Sequence, residues 1–215
     1  MRRWLQIVMI LLVLLFAGCA SQPSESSPAP APGNPDPQPA SPVVNAQSFF
    51  PVKAGSIWTY QGQGNEFASF TREAVFSQDN RGQFKESNGG TVSSAVFEVN
   101  ADAVTRIYFQ GEQYQPENLL NSATFKGNDS TVLIKAPLAA GTTWTSGNME
   151  KKIISVEAIV DAPAGKFDKC LQIETRTPES VVTEYYKEKI GLVKREFKSG
   201  DTVVTSTLSQ YKITP

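Results

Sequence analysis

The chain has 215 residues, 20 basic against 21 acidic side chains for a net charge of −1, and no histidine. The missing imidazole excludes Ser-His-Asp and Cys-His catalysis and histidine-ligated zinc. A near-neutral chain also gives no electrostatic reason to bind nucleic acid.

Arg2 and Arg3 open the chain, and Ile7 to Ala17 is an unbroken apolar run that ends at Gly18-Cys19. A membrane-spanning helix wants about 18–20 apolar residues, so this run has the length of a secretory signal core. Leu14-Leu15-Phe16-Ala17-Gly18-Cys19 resembles the end of the signal peptide in bacterial lipoproteins, with Phe16 where Leu is usual. The resemblance implies cleavage before Cys19 and acylation of its thiol. Residues 1–18 are therefore expected to be removed, leaving 18 basic and 21 acidic residues and a net charge of −3. The expected partner of Cys19 is membrane lipid, and the expected location is the extracytoplasmic face, in a periplasm or at the cell surface. The competing reading is an ordinary secretory signal cleaved elsewhere beside a chance cysteine.

Residues 19–48 read as a tether. Eight of the chain's 14 prolines fall between residues 20 and 47, with no aromatic residue and only Glu25 and Asp36 as charges. Such a segment cannot bury enough apolar surface to fold, and prolines favour an extended polyproline II chain. At about 3.1 Å per residue it reaches roughly 85 Å.

From Phe49 onward the chain repeats itself. Pro51-Val52-Lys53-Ala54-Gly55-Ser56-Ile57-Trp58-Thr59 matches Pro137-Leu138-Ala139-Ala140-Gly141-Thr142-Thr143-Trp144-Thr145 at an offset of 86 residues. Arg81-Gly82-Gln83-Phe84 matches Ala164-Gly165-Lys166-Phe167, and Val104-Thr105-Arg106 matches Val193-Lys194-Arg195. Two β repeats follow, 49–135 and 136–215, too long in period for a solenoid and sharing one domain or forming two.

Each repeat reads as antiparallel β. Runs rich in Val, Ile, Thr, Phe and Tyr are separated by turn residues. Ala68, Phe70, Ala74 and Phe76 alternate with polar residues, interrupted by Arg72; that is the pattern of a sheet with one buried face. Asp79-Asn80-Arg81-Gly82 and Lys198-Ser199-Gly200-Asp201 supply turn chemistry. Pro116 to Leu120 is expected to make one helical turn. The predicted fold is all-β: a duplicated antiparallel unit forming a curved open sheet, a half-barrel or a sandwich.

Trp58 and Trp144 hold equivalent places and read first as core anchors, with a ligand-stacking platform as the alternative. Tyr185 and Tyr186 should point to opposite sheet faces, and they join the two tryptophans as candidate ligand-facing aromatics. With Cys19 spent on lipid, Cys170 has no disulfide partner and reads as a buried apolar group.

The phrases Pro163-Ala164-Gly165-Lys166-Phe167-Asp168-Lys169-Cys170-Leu171, Glu184-Tyr185-Tyr186 and Gly191-Leu192-Val193-Lys194, with Gly141-x-x-Trp144-Thr145, resemble a widespread group of bacterial envelope lipoproteins of unknown function. The resemblance covers residues 136–200 best. It implies an open β-sheet comparable to the half-barrels of periplasmic lipoprotein carriers, and it brings no active site.

No catalytic, cofactor or metal residues are expected. Glu184, Glu188, Glu196 and Asp201, interleaved with basic residues, read as a solvated hairpin with cross-strand charge pairs. Glu157 and Glu174 are the carboxylates a cell-wall polymer hydrolase would have to bring together. The expected function is a non-enzymatic envelope lipoprotein binding a protein, a polymer or a hydrophobic ligand. The alternatives are a carrier of lipid on a concave sheet and, third, that hydrolase.

Overall fold

Twelve antiparallel strands run in chain order through the part of the chain that the computed structural model describes, residues 44–215. The signal-like run, Cys19 and the proline-rich stretch to residue 43 lie outside the described residues. The strands are β1 (Ile57–Gln63), β2 (Phe70–Gln78), β3 (Arg81–Ser87), β4 (Val92–Val99), β5 (Ala103–Gln110) and β6 (Thr131–Lys135), then β7 (Thr143–Ser146), β8 (Met149–Ala162), β9 (Gly165–Arg176), β10 (Val181–Lys187), β11 (Gly191–Ser199) and β12 (Thr202–Lys212).

Every strand pairs with its neighbour in sequence within β1–β6 and within β7–β12, so each half is a meander. The halves join through the β1–β12 ladder, where Ile57 faces Lys212 and Gln63 faces Thr205. The two repeat regions thus make one continuous sheet. Sequence-matched residues fall on matching strands: Trp58 on β1 and Trp144 on β7, Gly82 on β3 and Gly165 on β9, Arg106 on β5 and Arg195 on β11.

The outer edges, β6 and β7, share no backbone ladder. They are bridged by side chains: Trp144 Nε1 donates to the Val132 carbonyl at 3.1 Å, and the Val132 amide donates to Ser146 Oγ at 2.9 Å. The sheet is therefore a nearly closed barrel with one side-chain seam.

Up-and-down connectivity puts alternate turns at opposite ends. At one end sit the short turns Asp79-Asn80, Pro163-Ala164 and the β10–β11 turn. Residues 44–50 close this end. Asn45 caps a 3-10 turn, Ala46–Phe49, whose Ala46 and Gln47 amides donate to Ala101 and Asn100, while Ser48 accepts from the Lys189 amide. Phe50 then enters the interior, with ring centres 4.7 Å from Phe97 and 5.6 Å from Phe84. Residues 44–48, expected in the tether, belong to the folded head. Ala46 and Phe49 are apolar groups with a pocket to fill, and proline density alone marked the boundary too late.

A second correction concerns Pro116 to Leu120, which form no helical turn. The β5–β6 loop instead lies over the outer face of β3. Gln83 Nε2 donates to the Glu117 carbonyl and Gln83 Oε1 accepts from the Leu119 amide, both at 2.8 Å. These bonds satisfy backbone groups that a helical turn would have had to pair locally.

Candidate functional site

Strand alternation and register decide what faces the interior. On β2, Phe70, Arg72 and Ala74 point inward; Arg72 faces Trp58 on β1 and Glu86 on β3. On β10 and β11, Glu184 faces Arg195. On β8 and β9, Lys151 faces Thr175. The interior therefore has two halves. Towards the plugged end it is apolar and filled by Trp58, Phe84, Phe97, Leu171, Ile173 and Leu192. A cavity of about 10 Å³ among Phe50, Trp58 and Phe84 has room for no more than one water. Towards the opposite end the interior carries charge.

Arg72 is buried, and both its Nε and Nη2 reach Glu86 Oε1, at 2.7 and 2.5 Å. Arg195 Nε reaches Glu184 Oε1 at 2.9 Å, and the Tyr186 hydroxyl donates to Glu184 Oε2 at 3.0 Å. Phe70 stacks on Tyr60 with ring centres 4.3 Å apart, and the Arg72 and Arg195 guanidinium carbons lie 6.0 and 5.8 Å from the Phe70 ring centre. The electron-rich ring face partly offsets the burial of two cations. Arg106 on β5 pairs with Asp129 from the β5–β6 loop. Lys151 donates to Thr175 Oγ1 at 2.8 Å.

Burial raises the Glu86 and Glu184 carboxyls, but Arg72 next to Glu86 and Arg195 next to Glu184 outweigh it and hold both below the usual range. Burial raises the Tyr60 and Tyr186 phenols, which stay protonated donors. Burial lowers the Lys151 ammonium, opposed by Glu184 and reinforced by Arg195 and Arg106.

This charged end opens into a cavity of about 230 Å³ whose wall includes Phe67, Phe70, Glu86, Ser93, Arg195 and Ser206. Its rim is made by the β1–β2 and β3–β4 loops. The first loop can fold inward because Gly62 has no side chain: a Cβ there would lie 2.1 Å from the Ala68 carbonyl carbon. Ser206 Oγ then donates to the Ala68 carbonyl at 2.7 Å and pins the loop.

A larger groove of about 650 Å³ lies on the outside of the barrel. Thr143, Thr145, Glu150, Lys152, Glu174 and Arg176 line it from the face opposite Thr175, and Trp144 and Lys151 border it as well. It is an open, largely charged surface that borders the interior cluster at Lys151.

Of the residues singled out in sequence, Cys19 lies outside the described residues. Trp58 is buried at the plugged end, and its Nε1 donates to the Ile190 carbonyl at 2.6 Å. Trp144 is buried at the seam. Tyr186 points inward, 1% exposed, while Tyr185 lies half-buried on the other face with the Lys194 ammonium 5.8 Å from its ring centre. Trp58 and Tyr186 offer no free ring face to a ligand. Cys170 is buried, and burial pushes its thiol up to about 11. Glu157 and Glu174 line different cavities, and Glu174 is paired with Arg176 at 2.7 Å.

The hairpin read as solvated holds a correction too: Glu184 and Arg195 do form a cross-strand pair, but inside the barrel. Alternation carried the signal. Val182, Glu184 and Tyr186 share one face and are opposite Phe197, Arg195 and Leu192, so Glu184 sits between apolar residues two positions away on its own strand. Arg72 interrupting the Phe70–Ala74 alternation is the same signature.

No protein-family model matches the chain, and no curated protein matches it significantly. Two crystal structures are similar. One is a protein from Bacteroides fragilis described as exported and of YmcC-like fold; identity is 16%, 76% of this chain and 98% of that chain are covered, and the TM-score is 0.46. The other is a protein from Parabacteroides distasonis described as a lipoprotein; identity is 15%, 79% of this chain and 100% of that chain are covered, and the TM-score is 0.44.

Proposed function

We propose that the chain is a non-enzymatic binding module of the cell envelope, anchored by acylated Cys19 and taking its ligand at the charged, open end of the barrel. The carrying observation is the division of the interior: an apolar half with only about 10 Å³ free among Phe50, Trp58 and Phe84, against a polar half with a 230 Å³ opening onto Arg195 and Glu86. A lipid carrier needs a large open apolar cavity, whereas the cavity of about 290 Å³ beside Phe49, Val156 and Leu171 is lined as well by Glu157, Lys169, Lys187 and Glu188. A glycoside-hydrolysing pair needs one protonated carboxyl, whereas Glu86 and Glu184 are both held ionised by arginine.

Two measurements test this reading. Mass spectrometry of the native N-terminus should find diacylated Cys19; an unmodified residue 19 removes the anchor. Native mass spectrometry of the purified head should find no bound lipid, and a stoichiometric lipid would turn the reading into the carrier.

A further inference from the structure

Four cations and three carboxylates meet at the charged end of the interior. Arg72 has Glu86, Arg106 has Asp129 and Arg195 has Glu184. Lys151 has no such partner. It is 5% exposed, and among the described residues no carboxylate lies within ion-pair distance of its ammonium. Thr175 Oγ1 takes one of its three N–H groups. Glu184 acts on Lys151 only at longer range and is itself committed to Arg195 and Tyr186, so the cluster holds one cation more than its carboxylates balance, a costly arrangement that a further anion relieves.

The cavity wall has donors to offer such an anion. Arg195 uses only its Nε on Glu184, so its terminal nitrogens carry uncommitted N–H groups, and its side chain is 33% exposed. The Ser93 hydroxyl lines the same cavity and makes no hydrogen bond among the described residues. Asn88 spends its carbonyl oxygen on the Gly90 and Thr91 amides, which leaves its NH2 group free on the same wall. Guanidinium, hydroxyl and amide donors are the groups that hold phosphate and carboxylate oxygens. Phe67 and Phe70 stand beside them and give an apolar surface to the rest of a ligand.

We propose that this cavity binds a small organic anion, a phosphate monoester or carboxylate with an apolar portion, whose charge completes the cluster. The anionic group meets Arg195, Ser93 and Asn88, the apolar portion lies against Phe67 and Phe70, and Lys151, which is not on this cavity's wall, adds positive charge at longer range. This rests on the binding-module reading above and names its ligand class.

Isothermal titration calorimetry of the head with phenyl phosphate, benzoate and neutral benzyl alcohol tests it. At least one of the two anions should bind about tenfold or more tightly than benzyl alcohol, and their order says whether phosphate or carboxylate is preferred. Lys151→Met should fold and lose about tenfold in anion affinity. Ser93→Phe, which fills the cavity, should abolish binding, and Lys152→Met on the outer face should change nothing. Equal binding of benzyl alcohol, full affinity in Lys151→Met or in Ser93→Phe, or no binding of either anion would overturn the proposal. If Lys151→Met does not fold, the charged-against-neutral comparison on the unaltered head decides alone. Benzyl alcohol binding in this cavity without the anions would reject the anion and leave the binding module standing. A missing anchor or a bound lipid rejects the module itself.

Discussion

Single residues set the electrostatics of the interior. Glu184 is buried and accepts from both Arg195 and Tyr186. Glu184→Ala leaves a guanidinium without its partner, and the expected loss is about 2–4 kcal/mol, below the full value for a sealed pair because Arg195 is partly exposed. Urea denaturation measures it; a change under 1 kcal/mol would show the pair to be incidental (about the worth of an exposed ion pair). The pH dependence follows from direction. Glu86 and Glu184 have folded pKa values below their ordinary 4.5, so the unfolded chain takes up protons first on acidification. Their contribution is fully present above pH 4.5 and is lost as pH falls through the lower folded values. Lys151 runs the other way: its folded pKa lies below 10.5, so its penalty is full below that folded value and is relieved as pH rises towards 10.5. Melting temperatures across pH 3–10 should fall on the acid side, and Glu184→Gln should flatten that fall. At this scale the apolar flanks of Arg72, Glu184 and Arg195 carry the signal of an inward charge, but charge density made the Glu184–Arg195 hairpin read as solvated. The partner of each was not legible, because pairing across strands depends on register.

Among the elements, the hairpins were the most readable. Asp79-Asn80, Pro163-Ala164-Gly165 and Gly200-Asp201 all make the turns their residue types favour. The 44–50 plug was hidden, since its meaning depends on the opening it fills. Phe50→Ala should cost about 3–5 kcal/mol, because its ring packs on both Phe84 and Phe97. A loss below 1 kcal/mol in chemical denaturation would mean that the barrel closes without its plug (less than any usual Phe→Ala change in a core). Gly191 starts β11 at φ +95°, with Pro51 Cδ 3.4 Å from the place of a Cβ and the Trp58 indole bonded to Ile190 beside it. Gly191→Ala should cost about 1–3 kcal/mol through backbone strain. An unchanged melting temperature would show that the turn relaxes freely.

For the molecule as a whole, the two repeats expected from sequence span the two six-stranded meanders, with Trp58 and Trp144 on β1 and β7 and Arg106 and Arg195 on β5 and β11. We propose an internal duplication as the origin of this arrangement. The way the halves join was not legible, because nothing local distinguishes a barrel closed through β1 and β12 from two separate sheets. The seam between β6 and β7 rests on Trp144 and Ser146 rather than on a ladder. Its backbone amides should therefore exchange with solvent much faster than those of β1 and β12, which are paired on both sides. Hydrogen exchange by mass spectrometry reads this directly, and equal protection of β6, β7 and β1 would contradict the seam.

The plug has one more consequence, and it is mechanical. Val44 enters at the closed end, so any pull arriving along the preceding chain is borne first by the Ala46, Gln47 and Ser48 backbone bonds and by the Phe50 ring seated on Phe84 and Phe97. The charged opening lies at the far end of the strands. A force applied through Val44 therefore enters the barrel at the end away from the charged opening.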